Sequence, residues 1–163
     1  MLVAAISDTH LPRGARRLPE TCLQRLRSAD LVLHAGDLVA VSVLEELRAL
    51  GPPVHAVHGN VDEPALRELL PAQAVVEAGG ARIGMTHVPG PRAGREERLA
   101  RRFPGCGAVL YGHTHQPQVE LHGGVWILNP GSPTERRRAP AHTMLVLEVE
   151  GPEIRPELVT LGP

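Results

Sequence analysis

The stretch Leu2-Val-Ala-Ala-Ile-Ser-Asp-Thr-His10 opens with five consecutive apolar residues and ends in a carboxylate and an imidazole two positions apart. An unbroken apolar run of this length fits a strand buried on both faces. The same pattern recurs outward along the chain. Residues 18–26 carry Leu18, Cys22, Leu23 and Leu26 at helical spacing, and residues 31–33 make a second strand. Residues 39–50 place Val43, Leu44, Leu47 and Leu50 on one helical face, and residues 53–57 make a third strand. A helix over 62–70 follows, with Asp62 suited to cap it and Pro64 tolerated in its first turn. Strand–helix–strand–helix–strand at this spacing calls for right-handed crossovers and a parallel sheet.

The second half changes character. Residues 74–77 and 82–85 flank Gly79-Gly80 and read as a hairpin, and residues 94–102 as a short helix. Strands are expected over 108–111, 119–121, 125–128 and 144–149, with Gly and Pro between them. The expectation is one α/β sandwich spanning 1–163, parallel strands first and an antiparallel sheet later.

Composition removes several function classes. Of 163 residues 42% are hydrophobic, too many for a disordered chain. The 17 basic and 18 acidic side chains nearly cancel, which excludes a globally basic nucleic-acid binder. All the basic residues are Arg, so a Schiff-base lysine and a Walker-type phosphate loop are excluded. Aromatics at 2% leave no stacking platform for single strands. Cys22 and Cys106 stand apart and read as reduced core thiols, not a disulfide framework. No apolar run reaches membrane length, and the apolar start stops at Asp8 without the marks of a secretory leader. A cytoplasmic location is expected.

The chemistry lies where the strands end. The first runs into Asp8-x-His10, the second into Gly36-Asp37, the third into Gly59-Asn60, the hairpin's return strand into Thr86-His87, and residues 108–111 into Gly112-His113-x-His115. Ligands in open α/β sheets gather outside the carboxyl ends of strands, so these five ends deliver Asp, His, Asp, Asn, His, His and His to one place. Residues two apart on extended backbone point the same way, so each pair can straddle one ion or face two. A mixed oxygen and nitrogen set without thiolate suits Mn²⁺, Fe, Co²⁺, Ni²⁺ or Zn²⁺. Seven donors exceed one tetrahedral ion and suit two ions sharing a carboxylate, with Asp37 the natural bridge. Two ions about 3.5–4 Å apart clamp the oxygens of an in-line displacement at phosphorus and bring a bridging water toward hydroxide near neutral pH.

The ordered set Asp-x-His, Gly-Asp, Gly-Asn, His, Gly-His-x-His resembles the calcineurin-like metallophosphoesterases, and spans residues 8–132, about four-fifths of the chain. The small size, with Asn129-Pro-Gly-Ser132 after the last histidine pair, is similar to their compact bacterial and archaeal phosphodiesterase branch. The resemblance implies a first ion on Asp8, His10, Asp37 and His115, and a second on Asp37, Asn60, His87 and His113. It implies two mixed sheets packed face to face with helices outside, a four-layer αββα sandwich. It also implies metal-bound hydroxide attack on a small phosphodiester or activated phosphomonoester. Larger members carry a histidine directly after Gly-Asn; here Val61 stands there, which leaves the general acid unassigned. The residue after His87, often glycine in the family, is Val88.

Other residues have plainer readings. Asp62 is an N-cap or a support for the ligands, and His34 and His58 are supports near the sheet ends. Residues 129–132 are either a turn or a loop lining the pocket, which puts Asn129, Gly131 and Ser132 at its wall. His55, His122 and His142 are ordinary, and Trp126 is core. Arg95, Arg98, Arg101 and Arg102, and the run Arg136-Arg137-Arg138, read first as solvated faces, so nucleic acid is not the expected partner. A homo-oligomer is compatible with all of this. Two alternatives differ in class: a protein-interaction scaffold like the retromer subunit that shares this fold, and a nuclease using the arginine faces.

Overall fold

A strand buried on both faces must alternate its side chains between two cores, and β1 (Leu2–Ile6) does so: Val3 and Ala5 enter one cluster, Ala4 and Ile6 another. The computed structural model describes residues 1–162. In it β1 lies at the centre of a five-stranded sheet, parallel to β2 (Leu31–His34), which pairs in parallel with β3 (Val54–Ala56). The helices between them, α1 (Glu20–Ser28) and α2 (Val41–Arg48), cover one face with Cys22, Leu26, Val43, Leu44 and Leu47. Leu66 of α3 (Pro64–Leu69) joins the same cluster.

A second five-stranded sheet runs in the order β4 (Gln73–Ala78), β5 (Ala81–Thr86), β6 (Ala108–Tyr111), β8 (Val125–Asn129), β7 (Gln118–His122). Val3, Leu33, Leu145 and Leu147 of the first sheet meet Ile83, Met85, Leu110 and Leu128 of the second in one apolar layer. Outside the second sheet, Leu99 of α4 (Arg95–Arg102) packs with Phe103, Val109 and Ile127. Helices, sheet, sheet and helix therefore make four layers, with mixed sheets face to face, as the resemblance implies. Cys22 and Cys106 are free and buried, in separate clusters.

Three expectations are corrected. The later sheet is mixed: β5–β6 and β6–β8 are parallel, and only the β4–β5 and β7–β8 hairpins run antiparallel. The expected strand over 144–149 is β9 (His142–Glu150), and it pairs antiparallel with β1 in the first sheet. The long loop after β8 carries the chain back across the sandwich, a non-local choice that no pattern within residues 144–149 encodes. A tenth strand, β10 (Glu153–Gly162), closes the edge; Pro156 fits there because an edge strand tolerates a missing N–H. Asp62 does not cap α3. Glu63 occupies the N-cap position with no side-chain bond, and the Asp62 carboxylate is used elsewhere.

The topology aims both sheets at one place. The carboxyl ends of β1, β2 and β3 in the first sheet, and of β5, β6 and β8 in the second, are the ends that carry residues 7–10, 35–37, 58–60, 87, 112–115 and 129–132.

Candidate metal centre

All seven donor residues meet. Asp8 Oδ1 lies 3.3 Å from His115 Nε2 and 3.9 Å from His10 Nε2. Asp37 Oδ2 lies 3.4 Å from His10 Nε2 and 3.2 Å from His87 Nε2. Asn60 Oδ1 is 3.0 Å from both His87 Nε2 and His113 Nδ1. Two groups of donor atoms close enough to hold an ion result, Asp8–His10–His115 and Asp8–Asp37–His87. The Asp37 carboxylate touches one histidine of each group. The expected supports fall around this cluster, with His34 at the end of β2 and Asp62 and His58 on the loops beside the ligands.

The backbone under the cluster is unusual. Asp8, His10, Asp37, His113 and His115 have φ of 54°, 47°, 60°, 70° and 58°. Side chains at such angles cost of order 1–3 kcal/mol each, so the surroundings must hold them there. Ser132 is one holder: its hydroxyl donates to the Asp8 carbonyl at 2.8 Å and accepts the Glu135 N–H at 2.8 Å. Asn129 is another, donating to the Gly112 carbonyl at 3.1 Å and accepting the Gly131 N–H at 2.8 Å. Asn129, Gly131 and Ser132 are buried and lie beneath the ligands, so they are not the pocket wall expected from sequence. Their polar groups are consumed by the backbone they brace.

Asp62 is a third holder. Its carboxylate accepts the N–H of Val39 at 2.6 Å and of Gly59 at 2.7 Å, tying the Asp37 loop to the Asn60 loop. Val39, β-branched with φ of 91°, is an outlier that this bond sustains. His34 is fully buried; its Nδ1 accepts the Gly36 N–H at 3.2 Å, so Nε2–H donates to the Thr9 hydroxyl at 3.1 Å. Burial pulls its pKa down to about 3 and keeps the ring neutral. His58 is half-buried; its Nδ1 lies 3.4 Å from the Gly59 carbonyl and its N–H donates to the Pro71 carbonyl at 3.0 Å.

The three motif glycines make room for ligands. A Cβ on Gly59 would stand 2.0 Å from Asp37 Oδ1; on Gly36, 2.6 Å from His87 Nδ1; on Gly112, 2.9 Å from Asp8 Oδ2. No neighbour can yield there without moving a donor.

Each histidine presents a defined nitrogen. His87 Nδ1 donates to the Ala35 carbonyl at 2.7 Å and His115 Nδ1 to the Glu135 carbonyl, so both offer Nε2 inward. His10 turns Nδ1 toward the Glu135 carboxylate at 3.5 Å and also offers Nε2. His113 is the exception, with Nδ1 facing Asn60. Nothing in the spacing of residues 129–135 marked Glu135; its contacts follow from the return of the chain after β8.

The electrostatics fit cations. Burial disfavours the Asp8 anion, but His10 and His115 outweigh it and hold the carboxyl well below its ordinary range. Asp37 is likewise held low against burial, by His10 and His87. Burial opposes protonation of His10, yet the carboxylates of Asp37 and Asp8 lift it to about 9. His10 Nε2 and His115 Nε2 are buried without a hydrogen-bond partner. Orphaned imidazole nitrogens facing buried carboxylates are what a divalent ion satisfies, and the absence of thiolate suits harder metals.

Residues 1–151 match the family model described as the calcineurin-like phosphoesterase superfamily domain. A curated protein of Methanothermobacter thermautotrophicus described as a "probable metallophosphoesterase" is 36% identical over 164 residues, covering 99% of this chain and 94% of its own. A Thermotoga maritima protein solved in solution by NMR is 35% identical with a TM-score of 0.76, over 98% of each chain. Wild-type Vps29 of Entamoeba histolytica, solved in complex with Zn²⁺, is 27% identical with a TM-score of 0.78, over 99% of this chain and 100% of that one.

Proposed function

This chain belongs to the calcineurin-like phosphoesterase superfamily, and from that premise we propose that it hydrolyses small phosphodiesters, and activated phosphomonoesters less readily, with two divalent cations, Mn²⁺ first among them. The observation that carries the reading is the pair of buried, unpartnered imidazole nitrogens of His10 and His115 facing Asp8 and Asp37. Asp8, His10, Asp37 and His115 would hold one cation, and Asp37, Asn60, His87 and His113 the other. Asp37 would be the shared ligand, because its Oδ2 faces a histidine of each set, His10 Nε2 at 3.4 Å and His87 Nε2 at 3.2 Å.

Bound divalent cations supply Lewis-acid stabilisation of phosphoryl charge and a water acidic enough to attack near neutral pH. The protein's own residues do the rest. The carbonyls of Ala35 and Glu135 fix the tautomers of His87 and His115, so neither ring has to reorient. The Val61 N–H donates to Asp37 Oδ1 at 3.1 Å, leaving Oδ2 for the cations. The Val61 side chain points to solvent and offers no proton to a leaving group, which favours esters whose leaving group departs without one.

A second reading has its own support. The likeness to Vps29 over nearly the full chain allows a non-catalytic scaffold on the same fold. The filled donor set favours the enzyme. The nuclease reading loses part of its arginine face, because Arg98 is spent on the carbonyls of Pro89, Pro91 and Ala93 and Arg101 pairs with Glu97, which leaves Arg102.

The test is hydrolysis of bis-p-nitrophenyl phosphate by chelator-stripped protein with and without Mn²⁺, the monoester run alongside and Asp37→Ala as control. Diester cleavage that requires the metal and disappears in the variant is the expected result. No cleavage with Mn²⁺, Ni²⁺ or Co²⁺ overturns the enzyme reading and leaves the scaffold.

A further inference from the structure

Beside the open half of the cluster lies a cleft of about 430 Å³ whose wall includes Asn60 and His87 themselves. It is therefore continuous with the place where a scissile phosphate would sit. Its other polar wall residues are His58, Arg67, Gln73, Thr86 and Arg102, and among the described residues no carboxylate lines it. The two arginines come from α3 and α4, on different sheets' coverings, and each guanidinium group is anchored by hydrogen bonds to the loops beside it. Arg67 donates through Nε to the Asp62 carbonyl at 2.9 Å and through Nη2 to the Asn60 carbonyl at 2.5 Å. Arg102 donates through Nη1 to the Val88 carbonyl at 3.3 Å and the Thr86 hydroxyl at 3.4 Å. Neither has an ion-pair partner among the described residues, whereas Arg101 pairs with Glu97 and Arg155 with Glu150 and Glu153. Arg67 Nη1 and Arg102 Nη2 remain uncommitted. Two preorganised guanidinium groups without a counter-ion, in a cleft that opens onto the reacting position, match a planar or tetrahedral oxyanion.

We propose that this cleft is a subsite for a second anionic group of the substrate, a phosphate or carboxylate carried on one flank of the scissile diester and held by Arg67 and Arg102. The inference rests on the phosphodiesterase reading and narrows it to diesters with a charged flank. The specificity it predicts is for the flanking charge.

A matched series of p-nitrophenyl phosphodiesters tests it: the ethyl, the carboxymethyl and the 2-phosphoethyl ester, each with Mn²⁺-loaded protein. The two anionic esters are expected to exceed the ethyl ester in kcat/KM. Arg102→Ala and Arg67→Ala are each expected to cut kcat/KM for the anionic esters roughly 10- to 100-fold more than for the ethyl ester, the loss of a charge-assisted bond. Whichever anionic ester shows the larger ratio identifies phosphate or carboxylate. A variant that merely disturbs the metal centre lowers all three esters equally, and that result overturns the subsite. So does a wild-type enzyme indifferent to flanking charge. A second readout needs no turnover: in metal-free ¹⁵N-labelled protein, inorganic phosphate is expected to shift the Arg67 and Arg102 side-chain resonances at concentrations that leave Arg48 unmoved. If no ester is cleaved yet these shifts appear, the phosphodiesterase reading falls and the anion site stands. If esters are cleaved with no charge preference and no shifts, the subsite falls and the phosphodiesterase stands.

Discussion

The two halves of the donor cluster are built differently. Asp8, His10 and His115 are themselves buried, and they rest on buried Ser7 and Ser132 and half-buried Glu135. On the other side Asn60 is exposed and His113 half-buried, and Asn60 borders the arginine-lined cleft. His87 and the shared Asp37 are buried there. A closed half that fixes position beside an open half that admits ligand is the division of labour expected of a site that must keep its metal and exchange its substrate. Asp37 joins the halves.

The largest effect is expected where they join. Asp37→Ala should lose roughly 10³-fold or more in rate, since several kcal/mol of charge stabilisation is at stake at about 1.4 kcal/mol per decade. Turnover of bis-p-nitrophenyl phosphate, with metal content measured on the same samples, checks it; a variant that keeps both refutes the shared-ligand role. Gly59→Ala should act through the same carboxylate, because the added Cβ would stand 2.0 Å from Asp37 Oδ1. Its metal affinity is expected to fall about 10- to 100-fold, the usual cost of displacing what orients a ligand. Unchanged metal titrations would show that the loop relaxes freely.

The contrast itself is broken or sharpened by removing metal stepwise. Graded chelation should strip the open half first, passing through a species with one Mn²⁺ per chain that Glu135→Gln loses more readily than wild type. Simultaneous release of both ions would erase the distinction between the halves. Glu135→Gln is expected to weaken that retained ion by about tenfold, at the low end for a group that orients a ligand.

The smallest effect concerns His34, below the closed half. Its pKa is about 3 in the folded chain against an ordinary 6.5, so the unfolded chain binds the extra proton between those values. Stability from this group is complete above pH 6.5 and lost as pH falls toward 3. His34→Gln should flatten the decline by at most about 1.4 kcal/mol per pH unit, the limit for one proton. Urea unfolding of both chains at pH 7 and pH 5 reads the difference; parallel losses would mean that the ring is not kept neutral by its burial.

Much of the frame was legible along the chain because it is local. The apolar run of β1 and the helical spacing of Val43, Leu44 and Leu47 are patterns within a dozen residues, and they describe β1, α2 and the parallel order of the first three strands. That the seven candidate ligands come together was legible too, since each follows a strand and strand ends converge. Boundaries moved by a residue or two, α1 running Glu20–Ser28 in place of 18–26.

What tertiary structure alone decided is long-range. Residues 144–149 have a pattern that suits either sheet, and only the loop after β8 assigns β9 to the first. Asp62 looks like a helix cap in sequence, but Val39 and Gly59 reach its carboxylate first, across 23 and 3 residues. Ser132 meets Asp8 across 124 residues, and Glu135 serves His10 and His115 from a segment with no periodic signal. Residue types and their order along the chain select the donors, because chemistry belongs to the side chain. Their left-handed backbone angles, their tautomers and the division into a closed and an open half depend on groups far apart in sequence, and packing alone brings those groups into contact.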